Sequence, residues 1–411
     1  MSDIRPFRAI RPNKKEVAAI AALPYDVFSR EEASEYVKNR PLSFLNIDRP
    51  ETQFPNDYDM YAPEVYQKAH DLLWNMVAEQ SLIRENTPCY YLYQLTMNNR
   101  SQTGIVAVSA IDDYLENRIK KHEFTRVEKE QDRIRHIDTC NAQTGPIFLA
   151  YRSQESINEV VREVEKETPI YDFKTEDNVI HRVWIISEEK RIERIRSAFS
   201  SINDIYIADG HHRAASAVKV GLKRRKEDSN PTGEEEYQFF LSVLFPDEQL
   251  RIMDYNRAVK DLNGLTKEDF LDKVKKRFIV EENTNQDKHP KKAGEITMLL
   301  DGVYYTIALK KEDLTEDPVE GLDVALLQHL LLQPILGIGD PRTDKRIDFV
   351  GGIRGLEELE RRCNTDCKVA FAVYPTTMSQ LFAVADAERV MPPKSTWFEP
   401  KLRSGLFIHE I

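Results

Sequence analysis

The chain has 411 residues, 31% charged and 41% hydrophobic, with a formal net charge of −11 at pH 7. That length can bury a large core and exceeds one ordinary domain, so two or three closely joined units are expected. The acidic balance argues against binding nucleic acid, no apolar run reaches membrane-spanning length, and the N-terminal residues lack the apolar core of a signal peptide, so a cytoplasmic protein with a small anionic ligand is expected.

Taken in order, residues 4–12 and 23–29 set prolines beside arginines and an aspartate, which predicts extended loops. Ser29 and Glu32 have capping-box spacing, so a helix begins there and runs to about Lys38. Residues 63–83 read as an amphipathic helix with Val65, Ala69, Leu72, Leu73, Met76 and Val77 on one face. Residues 89–97 and 104–111 are β-rich runs around a polar turn, a hairpin. His122 and Glu123 follow a strand-like stretch, and a charge-dense helix comes next, whose simplest reading is a solvated face. CNAQTGPIFLAY, 140–151, is a polar turn entering a buried strand; 179–186 is a strand and 188–199 a helix.

Beyond a polar surface loop that begins at Lys223, strands are expected at 238–245 and 251–255, a helix at 267–278 and a hairpin at 298–309 turning at Asp301-Gly302. Residues 324–336 predict a buried helix, 348–355 a tight turn before a helix at 356–362, and 369–374 a strand. The tail 391–407 combines Lys394, Ser395 and Thr396 with aromatics and is expected to fold back over a site. Cys89, Cys140, Cys363 and Cys367 are too few and scattered for a disulfide framework and read as reduced thiols. The fold class is α+β with mixed sheets, divided into a core at 1–250 with an N-terminal elaboration and a second α+β unit at 251–411.

The densest chemistry lies in IADGHHRAASA, 207–217. A β-favouring run from Asp204 enters it and small apolar residues at helical spacing leave it, giving strand, turn and helix. Asp209 stands where an N-cap would and Gly210 lets the backbone bend. A helix N-terminus offers unpaired N–H groups and partial positive charge, so His211, His212 and Arg213 there suit phosphate or carboxylate. Asp209 alone would more often be a cap, and one histidine a satisfied polar group. Burying four such side chains around one turn is costly unless they serve each other or a ligand.

RPFRAIRP, LPYDV, the HE-x-T segment with its K-x-x-DR, N-x-x-x-GPIF, DGHHR and the closing P-K-S-T-x-F-x-P-K-L together resemble family 1015 of the domains of unknown function, over nearly the whole chain. HE-x-T followed by DGHHR also resembles the ParB and sulfiredoxin superfamily, and within it the free serine kinases. That resemblance implies Glu123 as the base on a hydroxyl and Asp209 to Arg213 as the holder of nucleotide phosphates. It departs at Lys121, where the kinases carry proline, and the lysine is a further phosphate contact. The chemistry expected is phosphoryl transfer, which asks mainly for positioning and charge neutralisation. Its parts are Glu123, Asp209, His211 and His212 as catalytic residues; Gly210, His211, His212, Arg213, Lys121, Lys129, Arg133 and Lys394 around the phosphates; and His122, Thr125, Asn141 and Thr144 around the substrate. Asp209 either holds Mg²⁺ or orients a histidine, and ATP or ADP is the cofactor. The first substrate to try is free L-serine. A phosphoserine phosphatase, a metallohydrolase built on His122, His211, His212 and Asp209, and a non-catalytic nucleotide sensor stay open, as does a homodimer.

Overall fold

A computed structural model describes residues 2–313 and 315–411. The chain is a mixed α+β protein that divides into two compact units, residues 1–250 with 400–411, and residues 251–399. The final segment thus joins the first unit rather than the second. His409–Glu410 pairs antiparallel with Ala142–Gln143, Ile408 forms a bridge with Ile10, and Leu406, Phe407 and Ile408 are fully buried.

The first unit is organised on a nine-stranded sheet. Along its path lie Ile119–Lys120, Ile205–Asp209, Ile147–Tyr151, Phe239–Pro246, Arg100–Ala110, Tyr90–Met97, Ile180–Ile186 and Tyr171–Lys174, with Ile4–Arg5 pairing beside Arg100–Ala110. Two pairings are parallel, Ile205–Asp209 with Ile119–Lys120 and Phe239–Pro246 with Ile147–Tyr151. The hairpin of Tyr90–Met97 and Arg100–Ala110 turns at Asn98-Asn99, both with positive φ, which matches the strand twist as a type I′ turn requires. Helix His211–Glu227 lays Ala214, Ala217, Val218 and Val220 against sheet residues such as Ile207, Leu149 and Phe240. Gly221 permits this approach, since a Cβ there would stand 2.4 Å from the Tyr237 carbonyl oxygen. A second apolar cluster joins Ile10, Phe44, Leu73, Ala142 and Ile408. The capping box of helix Arg30–Val37 is present, with Ser29 and Glu32 in reciprocal bonds.

The second unit is a six-stranded antiparallel sheet in the order Phe278–Glu282, Val303–Leu309, Glu295–Leu300, Val369–Val373, Tyr255–Val259 and Ile347–Gly351. Asp301 and Gly302 both take positive φ at the expected hairpin turn. Two expectations need correction here. The glycine-rich stretch is not only a turn, because Ile347–Gly351 is an edge strand before helix Gly355–Thr365. Residues 324–336 are not one α-helix either, since Asp323–Leu327 passes into a π-helical turn at Gln328–Leu332. All four cysteines are free. Among the described residues, no helix is long and apolar enough to cross a membrane.

Candidate functional site

The site grows from the end of strand Ile205–Asp209. Asp209 is the last strand residue and not the helix cap expected of it; that position belongs to Gly210, at φ +96, with no side chain capping the helix. A Cβ on Gly210 would stand 3.0–3.1 Å from the Arg213 guanidinium, so the missing side chain leaves the space Arg213 occupies. Arg213 Nη1 donates to the Pro146 carbonyl at 2.5 Å, which ties the GPIF segment to the DGHHR turn.

Asp209 meets a residue that motif reading passed over. Lys401 Nζ lies 3.2 Å from Asp209 Oδ2. Burial alone would raise the carboxyl pKa, but Lys401 and Arg213 together hold it well below the usual carboxylate range. The tail expectation named Lys394, yet the cation at Asp209 comes from the following P-K-L triplet. Lys394 belongs to the second unit, where its ammonium sits 5.4 Å from the Tyr255 ring centroid.

His211 is only 4% exposed, and its Nδ1 stands 3.6 Å from Glu123 Oε2. Its Nε2 accepts the backbone N–H of His122 at 3.4 Å. An imidazole that accepts at Nε2 carries its proton on Nδ1, so the N–H points toward the Glu123 carboxylate. Burial and the neighbouring His122 push the His211 pKa well below its ordinary value, which keeps the ring neutral. The two rings meet edge to face with centroids 4.5 Å apart. His122 is 2% exposed and neither of its ring nitrogens has a well-formed hydrogen bond; burial brings its pKa down to about 4. Expected at the substrate, it lies beneath His211.

The other expected residues sort by what they touch. His212 Nε2 accepts the backbone N–H of Arg126 at 2.9 Å, so this ring clamps the loop that carries Glu123. Thr125 donates to Glu130, which Lys219 also contacts, so this hydroxyl anchors the loop. Asn141 takes φ +53 as the C-cap of helix Val127–Cys140 and its Oδ1 accepts from Arg224 at 2.7 Å. Lys121 Nζ lies 4.3 Å from the Tyr114 ring centroid. Short polar side chains near a turn readily satisfy the backbone and neighbouring charges.

Thr144, Arg133 and Arg213 do converge, around a cavity of about 30 Å³ that Tyr25, Asp48 and Ser404 also line. Thr144 Oγ1 donates to Asp48 Oδ1 at 2.8 Å. Arg133 is buried against Asp132 at 2.8 Å, with its guanidinium 4.2 Å from the Tyr25 ring centroid. Burial pushes the Tyr25 hydroxyl up to about 12 despite Arg133 and Arg213. A neighbouring cavity of about 170 Å³ shares Tyr25 and Arg133 and adds Lys129, Asp26 and Asp132. Among the described residues no three His, Cys, Asp or Glu side chains are grouped to hold a metal ion.

LPYDV, K-x-x-DR, GPIF, DGHHR and P-K-L therefore meet around one turn. The sequence profile of the family described as "Protein of unknown function (DUF1015)" matches residues 4–325. The chain belongs to that family. No curated protein matches this DUF1015 chain. Among solved structures it is similar to SbnI with a C-terminal truncation from Staphylococcus aureus, at 13% identity and TM-score 0.38, over 72% of this chain and 82% of that one. It is also similar to a free serine kinase mutant in complex with ADP, at 13% identity and TM-score 0.36, over 74% and 92% of the two chains. A conserved hypothetical protein from Pyrococcus furiosus stands at 14% identity and TM-score 0.34, over 74% and 94%. At these scores the likeness carries neither ligand nor activity to the DUF1015 chain.

Proposed function

We propose that this DUF1015 protein is a phosphotransferase that moves a phosphoryl group from ATP or ADP to the hydroxyl of a small compound, with free L-serine the first acceptor to try. One observation carries the reading: Glu123, 3.6 Å from His211, stands beside a histidine-rich turn built for negative charge, although the two are far apart in the chain. Glu123 would accept the hydroxyl proton, a role worth about 10²–10⁴ in rate. Neutral His211 orients that carboxylate through Nδ1–H. Arg213, Lys401 and the open N–H groups of the helix N-terminus would neutralise phosphoryl oxygens. Asp209 would be the residue to hold a Mg²⁺ ion that comes with the nucleotide, which would supply positive charge against the moving group.

The test is an assay for phosphoserine formed by the full chain from serine with ATP or ADP. Wild type should form it and Glu123→Gln should lose about 10²-fold or more with an unchanged fold. No phosphoserine from wild type with either nucleotide rejects the acceptor.

A second reading rests on the cavity between Arg133 and Arg213, whose volume of about 30 Å³ suits a single phosphate or carboxylate group better than a nucleotide. In that reading the site hydrolyses a small phosphoester such as phosphoserine. Release of inorganic phosphate without nucleotide distinguishes the two.

A further inference from the structure

The second unit holds a cation that its own surroundings leave uncompensated. Arg257, on the strand Tyr255–Val259 one in from the sheet edge, is 3% exposed. Its guanidinium donates to the backbone carbonyls of Tyr255, Pro393 and Lys394, the last at 3.1 Å, and lies 5.1 Å from the Phe349 ring centroid. Carbonyl groups satisfy N–H donors without neutralising charge. No carboxylate among the described residues pairs with it, and burial lowers its pKa to about 10. A buried charge is costly unless an opposite charge meets it, so an arginine kept here in this way points to a counter-ion that comes from outside the chain.

The space for one is present. Arg257 lines a cavity of about 280 Å³ whose wall is mainly apolar, from Val319, Val324, Ala325, Met391, Pro392 and Pro393. Gln328 and His329, also in its lining, sit on the π-helical turn Gln328–Leu332, an irregularity frequent at functional sites. The segment Pro392 to Ser395 is held in shape around the guanidinium: Ser395 Oγ donates to the Pro392 carbonyl at 2.6 Å, and Lys394 takes φ +58, uncommon for a lysine. Glu320 lies at the edge, 2.9 Å from His329 and 3.7 Å from Arg389. Its charge disfavours a second negative charge on an occupant.

We infer that this cavity binds a small monocarboxylate with an apolar body, the carboxylate on Arg257 and the hydrocarbon against the valine, methionine and proline wall. The guanidinium fork matches a carboxylate, and one cation facing one rim carboxylate selects a single negative charge. The site is independent of the phosphoryl-transfer reading, which uses no residue of the second unit.

Calorimetry and thermal shift on the full chain test it with monocarboxylates from butyrate to octanoate, their neutral amides, and isoamyl phosphate. Carboxylates should bind and raise the unfolding temperature while the amides do not. Arg257→Gln should weaken binding about tenfold or more, and Glu320→Gln, a change at the cavity edge that leaves the fold intact, should tighten it a few-fold. Glu123→Gln should leave it unchanged. No response to any carboxylate, equal response to the amides, stronger binding of the phosphate ester, or affinity indifferent to Glu320→Gln overturns the assignment, and the Glu320 measurement decides even if Arg257→Gln does not fold.

Discussion

Two buried imidazoles packed edge to face set the acid limit of the first unit. His122, at about 4, and His211, well below its usual value, are both neutral in the fold, whereas in the unfolded chain they titrate near 6.5. The unfolded chain therefore binds more protons as pH falls through 6.5, and stability drops from there down to the folded values. For His122 alone the loss amounts to roughly 3 kcal/mol between pH 7 and 4. His181, lowered to about 3 by burial and by Arg403, acts in the same direction. Urea unfolding at pH 7 and at pH 5 should show the midpoint falling on acidification, and His122→Phe, which removes two buried ring nitrogens without a well-formed hydrogen bond, should flatten that dependence and stabilise by about 1 kcal/mol at pH 7. Lys401→Met works the other way. It leaves the Asp209 carboxylate short of its nearest cation, should cost about 1–3 kcal/mol, and should weaken binding of inorganic phosphate measured by calorimetry.

Between strand Ile205–Asp209 and helix His211–Glu227 the whole conformational change is taken up at Gly210. Gly210→Ala meets both a left-handed backbone and the Arg213 guanidinium, so a loss of about 1–2 kcal/mol is expected in thermal or urea unfolding, with Arg213 displaced. This junction shows what could be read in advance. Strand, bend and helix were legible, because a β-favouring run, a glycine and small residues at helical spacing are local signals. So were the turns at Ser29 and Asp301-Gly302. The π-helical turn at Gln328–Leu332 was not, since its apolar pattern fits an ordinary buried helix equally well. The partners of Asn141 and Thr125 were not legible, since Arg224 and Glu130 meet them only when distant or adjacent turns fold together. Lys401, 192 residues from Asp209, left no local trace beyond its place at the end of the closing motif.

At the scale of the molecule, the first unit is built from two stretches of chain separated by the whole of the second. Its last piece contributes buried Leu406, Phe407 and Ile408, a strand pairing at Gln143 and the ammonium at Asp209. A protein lacking residues 400–411 should therefore unfold at lower temperature and be cut faster by protease in the first unit, a comparison that limited proteolysis with mass spectrometry can make. The same arrangement imposes an order on biosynthesis. A ribosome adding about 5–20 residues per second makes the second unit in roughly 7–30 s. Throughout that interval the emerging first unit waits without the segment that brings Leu406, Phe407 and Ile408 to its core and Lys401 to Asp209.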